Sequence, residues 1–583
     1  MIAEISSSHW LDQYGSDTFQ WQLHETTGGR KILHRPIGLV ESSFDSDGRY
    51  YEGRADVLIQ LQLEIVTSLS LDAIKDKIKL AWACLRCQHL MLQTRAVPLR
   101  DLQLSDARGL DDSSALHFGF DVAQTSDDAV RQAIEQITFL DEHYHTVNQP
   151  DFSVHCQNVA RIVDPSTSLT KLFVLPIYRT SSGRAALQFV TVMGHQVVDG
   201  LTSTRWMRHF LDILNHTNDE LLAKIAKSLD INTMISRLPP AQEAAYPQIT
   251  GSRARQRWFW LLTRILRHVR RSLPEGFENP LKRHAGPKAP TSLSPTYSSV
   301  LDYSRVPPLN SFPCFAKVSV RDTERLHKLC RQANVSIGSG CFALAALTMM
   351  EMYERREPEI PLQDRKPFIT GFPLDPRGFL SKKLEPDSLM LAFSDGIMLP
   401  FLPSHLPLDG RLRLVAKQAH RQLRVYQKRK TLQSETVIDP HYMGSRGGGR
   451  MLQIQYLNSL ERSDTNRPAH LRQGINPQGA YPMRPNVNRA TCGVSSVGRR
   501  EVLIRQGLYD LEGGTKDFVA DFIDMKAMVR PREGEFLIGV AGTDQGVHAS
   551  VSVDGSAIDP ALAAEWQGLF ESVLNDAALT AKL

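Results

Sequence analysis

The chain has 583 residues, 42% of them apolar and 22% charged, with a formal net charge of +5. These are ordinary globular values, the length allows two lobes with separate cores, and so weak a positive balance excludes a nucleic-acid-binding role driven by bulk charge. Seven dispersed Cys, a Met1–Ser8 start without the basic and long apolar regions of a secretory signal, and no apolar run of spanning length argue against a disulfide scaffold, a secreted protein and a membrane-spanning one; the expected compartment is the cytoplasm.

Alternation over Asp56–Val66 predicts a strand. Ser70 is the expected N-cap of the next helix, which carries Ile74, Ile78, Trp82 and Leu85 on one face. Cys84 and Cys87 have redox or zinc spacing but sit inside that helix, and no second cysteine pair exists to complete a site. They read as core, and no metal is expected. His143 and His145 lack a third ligand and read as a solvated loop. Gln157–Val163 and Leu172–Tyr178 read as strands, and a further strand from Ala186 ends at Gly194-His195. Asp199 and Gly200 follow, then Trp206, Met207, Phe210, Ile213 and Leu214 at helical spacing.

Arg253–Arg271 is a basic amphipathic helix with Trp258, Leu262, Ile265, Val269 and Leu273 on one face. It is expected to dock on the protein with its arginines outward; peripheral contact of 253–273 with a membrane surface is the competing reading. The pattern restarts after a polar, Pro-containing zone. Strand signals follow at Cys314–Val320, a helix at Asp322–Ala333, a buried helix at Ser339–Met352, and a strand at Pro367–Phe372 leading into the turn of Asp375 and Arg377. Arg446-Gly-Gly-Gly-Arg450 lacks the Lys-Ser/Thr of a phosphate loop and reads as a flexible connection. Phe536–Ala541 and His548–Val553 are strands, and Pro560–Val573 is a closing helix. The mixture is α/β, divided as a first lobe 1–250, a connection 251–311 and a second lobe 312–583, and it reads as a monomer.

His-x-x-x-Asp occurs three times, at His117/Asp121, His195/Asp199 and His405/Asp409. His117 follows a polar, Asp-rich stretch, and His405 lies among prolines that remove ladder donors. Only His195 ends a run of strand formers and is followed at once by a helical pattern. A His held at a strand end suits a general base near neutral pH.

His195-Gln-Val-Val-Asp199-Gly200 resembles the HxxxDG motif of the superfamily of chloramphenicol acetyltransferase, plant acyl-CoA acyltransferases and peptide-synthetase condensation domains. Phe372-Pro-Leu-Asp375-Pro-Arg377 is similar to that family's Asp-x-Arg turn, and Val494-Ser495-Ser496-Val497-Gly498 to its Ser-Asn-x-Gly strand. Within the superfamily the chain looks most like stand-alone fungal O-acetyltransferases of secondary metabolism, such as the trichothecene (mycotoxin) O-acetyltransferases. Two features depart from the wider pattern. Gly194 stands where condensation domains carry a first His, and Gly507-Leu-Tyr-Asp510 does not match the plant Asp-Phe-Gly-Trp-Gly segment.

The resemblance implies a two-lobed chloramphenicol acetyltransferase-like fold, with mixed sheets, flanking helices and a tunnel between the lobes. It implies acyl transfer from acetyl-CoA or another acyl-CoA, a co-substrate and not a bound cofactor, to a small-molecule alcohol. His195 would be the base and Asp199 a brace paired with Arg377, with Asp375 and Gly200 shaping the turns. Ser495, Ser496 and nearby N–H groups would be donors to the oxyanion. A carrier-protein-bound acyl donor, as in condensation domains, and a non-catalytic scaffold of the same fold are the alternatives.

Overall fold

The Val57–Thr67 strand sets the frame of the first half. Its alternation buries Ile59, Leu61, Leu63 and Ile65 completely. It pairs antiparallel with Ala185–Met193, in the register Val57 to Met193. Thr170–Val174 and Ile137–Phe139 extend that sheet beyond Ala185–Met193. Helices Leu71–Gln88 and Gly200–Leu214 cover it, and Trp82, Trp206 and Phe210 join the apolar cluster that the strand residues begin. Ser70 caps the first of these helices by accepting from the Ala73 N–H. In this computed structural model the described residues are 10–106, 115–179, 184–269, 272–380, 383–427, 449–482, 490–512, 516–543 and 545–575. Residues 446–448 of the glycine motif, and Arg270 and Arg271 of the basic helix, lie outside that set.

A second sheet runs in the order Ser311–Lys317, Gly546–Asp554, Phe536–Thr543, Cys492–Arg499, Phe368–Gly371, Ile397–Leu399. Cys492–Arg499 is parallel to both its neighbours, and the other pairs are antiparallel. Helix Ile337–Arg356 is buried from Ser339 to Tyr353 and forms the spine of this half, as its run of small apolar residues predicts. A smaller antiparallel sheet joins Gln22–Glu25, Lys31–Pro36, Leu116–Asp121 and Arg95–Pro98. Among the described residues no single helix is long and apolar enough to cross a membrane.

The sheets do not follow the order of the chain. Phe518–Val529 leaves the second half and pairs with Val57–Thr67, from Phe518 opposite Thr67 to Val529 opposite Val57. It forms the edge of the first sheet, and the next strand returns to the second. An edge strand leaves outward N–H and C=O groups unpaired. Here the buried Asn215, at the end of helix Gly200–Leu214, answers both groups of Ala520. It donates from Nδ2 to the carbonyl at 2.9 Å and accepts from the N–H at 2.8 Å. A second amide clip joins the halves: Asn158 donates to the Ser311 carbonyl and accepts from its N–H, at 2.7 and 2.6 Å.

One predicted element is replaced. Gln157–Val163 reads as a strand, but Gln157 and Asn158 close helix Gln149–Asn158 and the rest is irregular. Asn148 accepts from the Asp151 N–H and Pro150 occupies the first turn, a start signal that outweighs the alternation seven residues later.

Replacing Asn215 with Ala leaves two buried backbone groups of the edge strand without partners. Urea unfolding of this variant is expected to show a loss of about 1–3 kcal/mol, the cost of unsatisfied buried polar groups.

Candidate active site

The Ala185–Met193 strand ends in a tight turn. Gly194 donates to the Leu169 carbonyl at 2.8 Å, Val197 N–H returns to the Gly194 carbonyl, and Val198 N–H to that of His195. The turn holds His195 half-buried, its ring stacked on Phe44 with centroids 4.1 Å apart. Phe44 belongs to helix Leu39–Tyr50, anchored by a buried Arg35–Glu41 pair and by Glu243 accepting from the Val40 N–H. Arg532 lies over the Phe44 ring at 5.5 Å and pairs with Asp47. Nδ1 of His195 is sealed from solvent without a partner of hydrogen-bond geometry. Burial lowers the pKa of the imidazole below its usual value; the backbone of His195 opposes it in part, Arg532 adds to the lowering, and Asp199 and the backbone of Val198 oppose it least.

Asp199 turns the other way. Oδ1 accepts from the N–H groups of Leu201 and Thr202 at 3.0 and 2.9 Å and so caps helix Gly200–Leu214. Oδ2 accepts from Arg377 Nη2 at 2.7 Å and from the Met390 N–H at 3.0 Å. Both groups are buried, with 3% of Asp199 and 7% of Arg377 exposed. Arg377 also donates to the Ser388 carbonyl and to Thr202 Oγ. Asp375 steadies it by accepting from its N–H and from Nη1 at 3.0 and 3.1 Å. One ion pair thus joins the His195 turn, the Asp375–Arg377 turn and the segment at Ser388–Met390.

His195 opens into a cavity of about 660 Å³ between the edge strand Phe518–Val529 and the second sheet. Gly200 and Ser495 line it too, whereas Asp199, Arg377 and Asp375 do not. Ser496 is not a lining residue either. It is exposed, and its Oγ accepts from the Gly498 N–H at 3.3 Å, because successive strand residues face opposite sides. Gly200 is the first residue of its helix and has no positive φ; an added Cβ would meet only Val497 at 3.7 Å. The sharp exit from the turn is therefore made by the Asp199 cap and not by glycine freedom.

The part of the cavity around His548 is predominantly basic: Lys317, Arg500 and Lys526 line it with His548, and Asp524, which lines it too, pairs with Arg500. Burial, with Arg500 and Lys317 nearby, pushes the His548 imidazole down to about 4, and its Nε2 is sealed without a partner. Reading the chain from its motifs misses this group. Its signal is the polar parity of His548, Ser550 and Ser552 in an alternating strand, which puts all three on one face. Phe44 and Arg532 carry no such signal, because only tertiary packing brings them to His195.

The competing motifs fall elsewhere. His117 is buried against His34, and Asp121 pairs with Arg95. His405 is exposed, and Asp409 pairs with Arg325. Cys84 and Cys87 are buried in their helix, with both thiols pushed up by burial. An added Cβ at Gly194 would lie 2.5 Å from Gln196 Oε1, so the buried Gln196 occupies the space that a side chain at 194 would need.

No protein-family model and no curated protein matches the chain. Among solved structures it is similar to trichothecene 15-O-acetyltransferase TRI3 from Fusarium sporotrichioides, at 12% identity over 95% of this chain and 98% of that one, with a TM-score of 0.61. Lesser likenesses are to the condensation domain of the monacolin K polyketide synthase MokA (11% identity, 93% and 96% of the two chains, TM-score 0.47) and to the epimerization domain of the third module of tyrocidine synthetase B (11%, 96% and 99%, 0.47). The fold is the mixed α/β fold of an acyltransferase of known structure, as the motifs imply.

Asp199→Asn removes the charge opposite a buried guanidinium while keeping a competent cap. Breaking such a pair costs about 3–5 kcal/mol. The variant is expected to unfold at a clearly lower urea concentration than the parent; an unchanged midpoint would show that the pair does not brace the turn.

Proposed function

We propose that the protein transfers an acyl group, acetyl in the simplest case, from a coenzyme A thioester to a hydroxyl of a small secondary-metabolite-like acceptor, with His195 as general base. The observation that carries this reading is the contrast between the two motif residues. His195 faces a cavity that both sheets build, while both oxygens of Asp199 are engaged away from it. One group is free to move a proton and the other is not.

With the proton on Nδ1, which is sealed from solvent, Nε2 of the neutral ring accepts the hydroxyl proton as the oxygen attacks the thioester carbonyl. The C–O bond forms and the carbonyl oxygen takes up negative charge. Ser495 is the side-chain donor in the cavity for that oxyanion, and Ser496 is set aside because it is exposed. Collapse breaks the C–S bond, and the imidazolium returns its proton to the departing thiolate. Lys317, Arg500 and Lys526 receive the phosphates of the donor at the cationic end. A covalent acyl-cysteine is disfavoured, because all seven Cys are buried and burial raises every thiol pKa. The reaction then runs in a ternary complex, in a cytoplasmic monomer. Transfer from a carrier-bound donor is the second reading, and Gly194 with the packed Gln196 weighs against the two-His arrangement of condensation domains.

His195→Ala is expected to lower turnover by about two to four orders of magnitude in a protein that still unfolds cooperatively. Thiol release from acetyl-CoA in the presence of an alcohol acceptor reads this out. Release at the parental rate would remove His195 from the mechanism, and release only from an acylated carrier protein would favour the second reading.

The depressed pKa of His195 sets the pH profile. The base works when neutral, so the acid limb of kcat/KM is expected below the ordinary His value of about 6.5. Arg532 disfavours the protonated ring. Arg532→Gln is therefore expected to raise the pKa and move the acid limb toward higher pH, which a purely structural role for Arg532 would not do.

A further inference from the structure

An amphipathic helix docked on a soluble protein turns its apolar stripe to the core. Helix Arg253–Val269 does the reverse. Its inward side carries Trp260, Thr263 and Arg267, all buried. Arg267 is fully enclosed and donates to Gln478, Asn458 and Glu461 at 2.7–2.8 Å, and Arg264 donates to the Gln478 carbonyl. The sequence pattern predicts arginines outward. Two are instead fastening points, because partners on the Gly449–Thr465 helix and at Gln478 offset the cost of burying a guanidinium.

The consequence is an apolar face in solvent. Trp258 is 59% exposed, Leu261 and Leu262 41% each, Ile265 44% and Val269 56%. At 3.6 residues per turn these five form one contiguous stripe, spanning about 100° of the helix surface. Tyr481, 63% exposed, continues it at the C-terminal end through its edge contact with His268. Single exposed leucines need no explanation, but a continuous stripe ending in aromatics marks a contact surface.

We propose that this face rests on a membrane surface bearing anionic headgroups. The helix contains no Asp or Glu. Arg253, Arg255 and Arg257 are exposed and flank the stripe on both edges. Apolar insertion of Trp, Leu and Ile with arginines at the headgroup level is the arrangement of an interfacial helix. Each basic residue near such a surface strengthens binding by about fivefold. A second copy of the chain offers no acidic group on this helix to meet Arg253, Arg255 and Arg257, whereas an anionic surface does. No residue of this helix lines the His195 cavity, so attachment leaves the site open.

Flotation of the full-length protein with vesicles tests this. Vesicles of equal parts phosphatidylcholine and phosphatidylserine are expected to carry the protein, at least about tenfold better than phosphatidylcholine alone, and less well as salt is raised. Trp258→Ser with Leu262→Ser and Ile265→Ser is expected to weaken binding at least about tenfold with only a small drop in the urea midpoint and an unchanged cooperative transition, because these side chains are 41–59% exposed and Ser is a slightly poorer helix former. Arg253→Glu with Arg255→Glu and Arg257→Glu is expected to abolish the preference for phosphatidylserine. Three results would overturn the proposal: no flotation with either vesicle, undiminished flotation of the triple Ser variant, or vesicle-independent self-association that the triple Ser variant loses.

Discussion

The Asp199–Arg377 pair is the contact on which the region around His195 depends. Its two charges are nearly sealed from water, where an unpaired carboxylate or guanidinium would be costly. Each therefore gathers further partners: two helix N–H groups and the Met390 N–H for Asp199, and a carbonyl, a hydroxyl and Asp375 for Arg377. Those partners belong to the turn at 199–202 and to two neighbouring segments of the second half, 375–377 and 388–390. Satisfying one ion pair thus fixes where the His195 turn ends, where its helix begins and how the second half lies against both.

The edge strand Phe518–Val529 makes the cavity. By joining the first sheet while its neighbours in the chain stay in the second, it draws one wall of a cleft from each sheet. Polar side chains acting on backbone hold the seam: Asn215 fastens Ala520 of the edge strand to the first sheet's helix, while Asn158 at Ser311 and Ser552, accepting from the Val529 N–H, join the two sheets. Such contacts close a seam without filling it. The open volume beside them runs from the imidazole of His195 to the cations around His548.

The setting of His195 differs from a simple acid–base pair. Among the described residues its ring stacks on Phe44, and Arg532 acts on it through its charge. Burial and the charge of Arg532 both favour the neutral form. An imidazole in this setting stays neutral to lower pH than a free one. The basic helix at the periphery follows a similar logic of placement, with charge used inward as fastening and apolar area left outward.

Sequence by itself determined the local features. Alternation marked Val57–Thr67, Phe536–Thr543 and Gly546–Asp554, a Ser cap marked Leu71–Gln88, and a small-residue run marked the buried Ile337–Arg356. The HxxxDG and Asp-x-Arg motifs were legible because each is a short stretch whose chemistry needs fixed spacing. Tertiary structure decided what depends on neighbours distant in the chain. It sent Phe518–Val529 across the seam, stacked Phe44 on His195, brought Arg532 and His548 to the cavity, separated Ser495 from Ser496, and turned Arg264 and Arg267 inward. Periodicity records which residues share a face of one element, but the environment that face meets is set by whichever partner offers the better burial and pairing. For the helix Arg253–Val269 that partner was a set of buried polar groups, so the apolar face predicted to lie inside lies outside.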